Sequence, residues 1–107
     1  MRTLFEHGTP TPLQTFLKGH AVKKAKDLGW DTLSNSELLK AAEEATFEVL
    51  LTTDKNIRFQ QNLTKHAIAI IVLGNSRPLV RRHVERVVAA VNTAKPGNYL
   101  EVETPDS

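Results

Sequence analysis

Val49-Leu50-Leu51-Thr52-Thr53-Asp54-Lys55-Asn56 is a short apolar run that passes through paired threonines and ends on a carboxylate. Continuous apolar, β-prone residues of this length fit a strand buried on both faces, as in a parallel sheet covered by helices. In open α/β sheets the functional crevice lies beyond the carboxyl ends of the strands. Asp54 therefore stands where chemistry is usually done, with a charge that a cation would seek.

Working outward, the chain alternates strands with helices. Ile68-Ala69-Ile70-Ile71-Val72-Leu73 is a second fully apolar strand, Arg2-Thr3-Leu4-Phe5 a short first one, and residues 21–25 a weaker one. Between the first two, Thr11 stands as N-cap and Pro12 at the first helical position, with Leu13, Phe16 and Leu17 as the buried stripe and Gly19 as the stop. A turn is expected at Leu28-Gly29-Trp30. Ser34 followed three residues later by Glu37 is a capping box. The helix it opens would bury Leu38, Leu39, Ala42 and Ala45. A short polar helix is expected over residues 58–63 and a long one over residues 78–94. In the latter Val80, Val84, Val87, Val88 and Val91 keep a helical period. Pro96-Gly97 ends it, residues 99–102 read as a last strand, and the tail after about residue 103 as frayed.

This alternation predicts a parallel, doubly wound α/β sheet with helices on both faces. In the strand order 2-1-3-4-5 the first strand lies beside the Val49 strand, and their ends meet at the topological switch point. Glu6 would then neighbour Asp54.

The bulk properties bound the function. The 107 residues suit one domain, residues 1–107. The chain has no cysteine, so disulfides, thiolate metal sites and cysteine nucleophiles are excluded. The N-terminal residues lack the apolar core of a signal peptide and no run could span a membrane, so a cytoplasmic protein is expected. A net charge of +2 tolerates a nucleic-acid partner without demanding one. The four histidines lack metal-ligand spacing; His7 is of interest because it adjoins Glu6. No P-loop, nucleophile elbow or dinucleotide fingerprint is present.

Glu6, Glu37 and Asp54 can be brought to one pocket: after the first strand, in the first turn of the helix, and after the third strand. Clustered carboxylates repel one another and call for a basic partner residue or for a hard divalent cation such as Mg²⁺, which selects oxygen ligands and activates water toward phosphodiesters. Each acid also has a purely structural role open to it: Glu37 in its capping box, Glu6 at a solvent-facing strand end, Asp54 in a helix cap or Asx-turn.

The segments Leu4-Phe5-Glu6-His7-Gly8-Thr9-Pro10, Leu28-Gly29-Trp30, Asn35-Ser36-Glu37-Leu38-Leu39 and Leu51-Thr52-Thr53-Asp54-Lys55-Asn56 together resemble a family of short bacterial PIN-like domains. Gln60-Gln61-Asn62-Leu63, the Ile68 strand and Lys95-Pro96-Gly97 extend the resemblance over nearly the whole chain. It implies a three-layer α/β/α fold and a Mg²⁺- or Mn²⁺-dependent ribonuclease (a hydrolase of single-stranded RNA), often the toxin of a toxin–antitoxin pair. The family's acids fall on Glu6, Glu37 and Asp54, both as metal ligands and as catalytic residues. Lys55 and Arg58 would meet RNA phosphates, and Thr52 or Thr53 would orient the carboxylate or a coordinated water. A small antitoxin and a homodimer are the implied partners. Two positions depart from the pattern. Glu6 stands where aspartate is usual, and Asn56 stands two residues past Asp54, where a fourth acid is common. The competing expectation is a weakened or inactive PIN-like module acting through protein contacts. A phosphoacceptor receiver domain ranks last, because Glu6-His7 supplies no acidic pair.

Overall fold

The apolar runs are strands: β1 (Arg2–Phe5), β2 (Ala21–Lys24), β3 (Val49–Thr52), β4 (Ala69–Val72) and β5 (Tyr99–Glu101). They form a single all-parallel sheet in the order β2-β1-β3-β4-β5. The computed structural model describes residues 2–6, 9, 11–17, 19–53, 68–73, 84–95 and 97–102. Two α-helices lie among them, α1 (Asn35–Glu44) and α2 (Val84–Thr93). The fold is α/β, and the strand order is 2-1-3-4-5, in which the first strand lies beside the Val49 strand.

Every residue of β3 and β4 is buried, whereas β2 and β5, at the sheet edges, are only partly covered. Successive strand residues point to opposite faces, and the core divides accordingly. Leu4, Leu50, Ile70 and Val72 gather with Leu38, Leu39 and Ala42 of α1 and with Phe47. Phe5, Val49, Leu51 and Ile71 gather with Val87 and Val91 of α2 and with Leu17. Continuous apolarity in the central strands thus follows from a separate core on each face. Burying one leucine contributes about 2 kcal/mol, and Leu4, Leu39, Leu50 and Leu51 are each fully buried.

α1 begins as its sequence predicts. Ser34 Oγ accepts from the Glu37 amide at 3.3 Å, and Glu37 Oε1 accepts from the Ser34 amide at 3.2 Å and from Ser34 Oγ at 2.9 Å. It ends at Ala45, after which Thr46 adopts a left-handed backbone with φ of 64°. Gly29, in the expected turn, is also left-handed, with φ of 76°.

Two expectations are corrected. The segment Thr11–Phe16 is a 3₁₀ helix, and Phe16, expected in the buried stripe, is 53% exposed while Leu17 is buried. The prolines at positions 10 and 12 carry no amide donor, and Leu17 donates to the Gln14 carbonyl three residues back. A three-residue repeat sets successive side chains about 120° apart, so burying Leu17 leaves Phe16 turned outward. Ala45, expected in the core of its helix, is half-buried at the helix C-cap. The expected polar helix over residues 58–63, the start of the long helix over 78–83 and the tail after 103 lie outside the described residues. No helix among the described residues is long and apolar enough to cross a membrane.

Candidate functional site

The switch point between β1 and β3 is where the sheet order reverses, and the hydrogen bonding there is dense. The Glu6 amide donates to the Leu51 carbonyl at 2.9 Å, carrying the β1–β3 ladder one residue past the strand. The Thr9 amide donates to the Glu6 carbonyl at 3.0 Å, turning the chain sharply. Thr9 Oγ1 donates to the Leu51 carbonyl at 3.0 Å in a buried setting. The loop after β1 is thereby tied to the end of β3.

Strand alternation places the side chains. Leu4 and Leu50 face α1, so Glu6 and Thr52, two residues further along each strand, face the same side. The Thr52 hydroxyl donates to Glu6 Oε2. Thr52 is fully buried and its carbonyl accepts from the Leu73 amide at 2.7 Å. Its side chain is therefore held on a rigid central strand, and the Glu6 carboxylate with it.

Glu37 reaches the same end of the sheet by topology. β2 finishes at the carboxyl edge and β3 starts at the amino edge, where the Glu48 amide donates to the Arg2 carbonyl at 2.8 Å. The connecting α1 runs back against the strand direction, so its first turn lies toward the carboxyl ends, on the face shared by Glu6 and Thr52. Hydrogen bonds from the Ser34 backbone, and then from its side chain, hold the Glu37 carboxyl below its ordinary value of 4.5. Its structural role in the capping box is thus real, and its carboxylate stays ionised near neutrality.

Of the residues expected at the site, the structure brings Glu6 and Thr52 into contact, sets Glu37 at the same end and face, and leaves Thr53 half-buried just beyond β3. His7, Asp54, Lys55, Asn56 and Arg58 lie outside the described residues. Among the described residues no group of three or more histidines and acids gathers in a metal-binding arrangement. The donors present here are carboxylate and hydroxyl oxygens, the set that a hard cation such as Mg²⁺ or Mn²⁺ takes. Thr9 was not singled out from sequence. Its signal was modest: a threonine just past a strand and before a proline, where the backbone is biased to an extended form.

A separate groove of about 350 Å³ lies between α2 and β5, lined by Arg86, Ala90, Leu100, Glu101 and Val102. None of the expected site residues that are among the described ones lines it, and it sits at the opposite sheet edge from β2. Comparison with protein-family models, curated proteins and solved structures found no match.

Proposed function

We propose that the chain is a PIN-like, metal-dependent ribonuclease that cleaves single-stranded RNA at the carboxyl ends of β1 and β3. The observation that carries this reading is the contact between Thr52 and Glu6 at the switch point of a 2-1-3-4-5 sheet. The three-layer α/β/α arrangement, a cytoplasmic setting and a role as toxin of a bacterial toxin–antitoxin pair belong to the same proposal. So do a small antitoxin covering this mouth and a second copy in a homodimer.

Glu6, Glu37 and Asp54 would hold Mg²⁺ or Mn²⁺ through carboxylate oxygens. When bound, the ion supplies Lewis-acid polarisation of the phosphodiester and lowers the pKa of a water. The chain's own residues do the positioning. Thr52 keeps the longer Glu6 side chain in one orientation, which offsets the freedom that its additional methylene brings compared with aspartate. Lys55 and Arg58 meet the backbone phosphates, giving affinity without sequence choice. The test is cleavage of end-labelled single-stranded RNA in Mn²⁺, in EDTA, and by Asp54→Asn. Cleavage that needs Mn²⁺ and is lost in the variant supports the reading; equal cleavage by both proteins overturns it.

A second reading draws on Glu37. Its carboxylate accepts from both the amide and the hydroxyl of Ser34, an engagement suited to a weakened PIN-like module that acts through protein contacts. No cleavage by the wild type, together with a tight protein partner recovered from cells, selects that reading.

A further inference from the structure

We infer that the β2 edge and the 3₁₀ turn Lys26–Leu28 after it form a phosphate-contact surface that leads single-stranded RNA toward Glu6. The choice of RNA as ligand rests on the function proposed above. Among the described strands β2 is terminal, bonded on one side to β1. Its sequence runs Ala21-Val22-Lys23-Lys24 and continues into Ala25-Lys26-Asp27-Leu28. Lys23 and Lys26 are exposed and Lys24 is half-exposed.

The register places these cations beside the mouth. Lys24 pairs with Phe5, and the Ala25 amide donates to the Phe5 carbonyl at 2.8 Å. Glu6 directly follows β1; Lys23, in register with Leu4, shares the α1-facing side with Glu6, whereas Lys24, in register with Phe5, lies on the other face. Alternation sends Lys23 and Lys24 to opposite faces, so the positive charge wraps the edge. Asp27 is the one acid in residues 21–30 and leaves the segment net positive. Leu28, 39% exposed and carried on the left-handed Gly29 turn, adds an apolar side chain against which a base can lie.

Lysines on an edge strand also oppose the addition of another strand, so the edge suits a polyanion better than a peptide.

The experiment is fluorescence anisotropy with a labelled oligouridylate in EDTA, over a range of salt. It compares the wild type with a Lys23→Gln, Lys24→Gln, Lys26→Gln triple variant. Each single-strand phosphate contact contributes about 0.7 to the slope of log affinity against log salt. The triple variant should therefore lose about 2 units of slope and bind about tenfold more weakly. A Lys40→Gln, Lys95→Gln variant, altered at exposed lysines elsewhere, should match the wild type. An unchanged slope in the triple variant, an equal loss in the control, or no binding by the wild type overturns the inference. Cleavage is scored separately in Mn²⁺. RNA held by the edge but left uncut would sink the nuclease reading alone; RNA cut with an unchanged salt slope would sink this one alone.

Discussion

The hydroxyl of Thr52 and the carboxylate of Glu6 are joined by a hydrogen bond across 46 residues of chain, linking the ends of two neighbouring parallel strands. Thr52 is fully buried while Glu6 is only partly covered, so the bond ties a side chain at the mouth to the rigid interior. Thr52→Val keeps the shape of the side chain and removes the donor. Losing a bond to a charged acceptor costs about 1.5–3 kcal/mol, read as a lower midpoint in urea unfolding. A variant as stable as the wild type would show that the contact contributes nothing.

The capping box gives a pH-dependent prediction. The folded pKa of Glu37 lies below its ordinary value of 4.5. Its contribution is therefore fully present above that value and is lost as pH falls through the lowered folded pKa. Thermal melts of Glu37→Gln should fall below wild type near neutrality, and the gap should close as pH falls through the lowered folded pKa. Ser34→Ala, which removes the N-cap itself, should cost about 1 kcal/mol near neutrality. A gap for Glu37→Gln that is constant over this range would contradict the assignment.

Thr46 carries backbone strain. A β-branched residue with φ of 64° occupies the left-handed region that glycine favours. Thr46→Gly should stabilise by about 0.5–1 kcal/mol, the relieved strain being partly offset by the entropy of a glycine in the unfolded chain. Differential scanning calorimetry reads this as a raised Tm. A lower Tm would mean that the bond from Thr46 Oγ1 to the Ala45 carbonyl, 2.6 Å long, outweighs the strain.

Packing predicts a contrast between two leucines. Leu50 is fully buried in β3 and Leu28 is 39% exposed. Leu50→Ala should cost about 3 kcal/mol through lost burial and the cavity left behind. Leu28→Ala should change stability by less than about 0.5 kcal/mol. Chemical denaturation of the two variants side by side checks both.

Much of this architecture was legible because the signals were long and redundant. The unbroken apolar runs of β3 and β4 required cover on both faces, and the valines of α2 kept a helical period despite β-branching. Ser34 and Glu37 announced the start of α1 at the right residue. Phe16 misled because the stripe assumed 3.6 residues per turn, whereas the segment that Pro12 opens took the three-residue repeat of a 3₁₀ helix. At the site, the sequence placed Glu6 and Thr52 at the ends of separate strands. That they touch depends on β1 lying against β3, which is a tertiary choice that no local pattern encodes. Thr9 is harder still, since its bond to the Leu51 carbonyl exists only once that loop has folded over β3.

The central claim is that Glu6, Glu37 and Asp54 share one divalent ion. Its most direct test is Mn²⁺ binding followed by electron paramagnetic resonance, comparing the wild type with Glu6→Gln, Glu37→Gln and Asp54→Asn. The account predicts wild-type binding that each substitution weakens by about tenfold or more, with the fold retained. Binding of equal strength in the wild type and the Asp54→Asn and Glu6→Gln variants would contradict it.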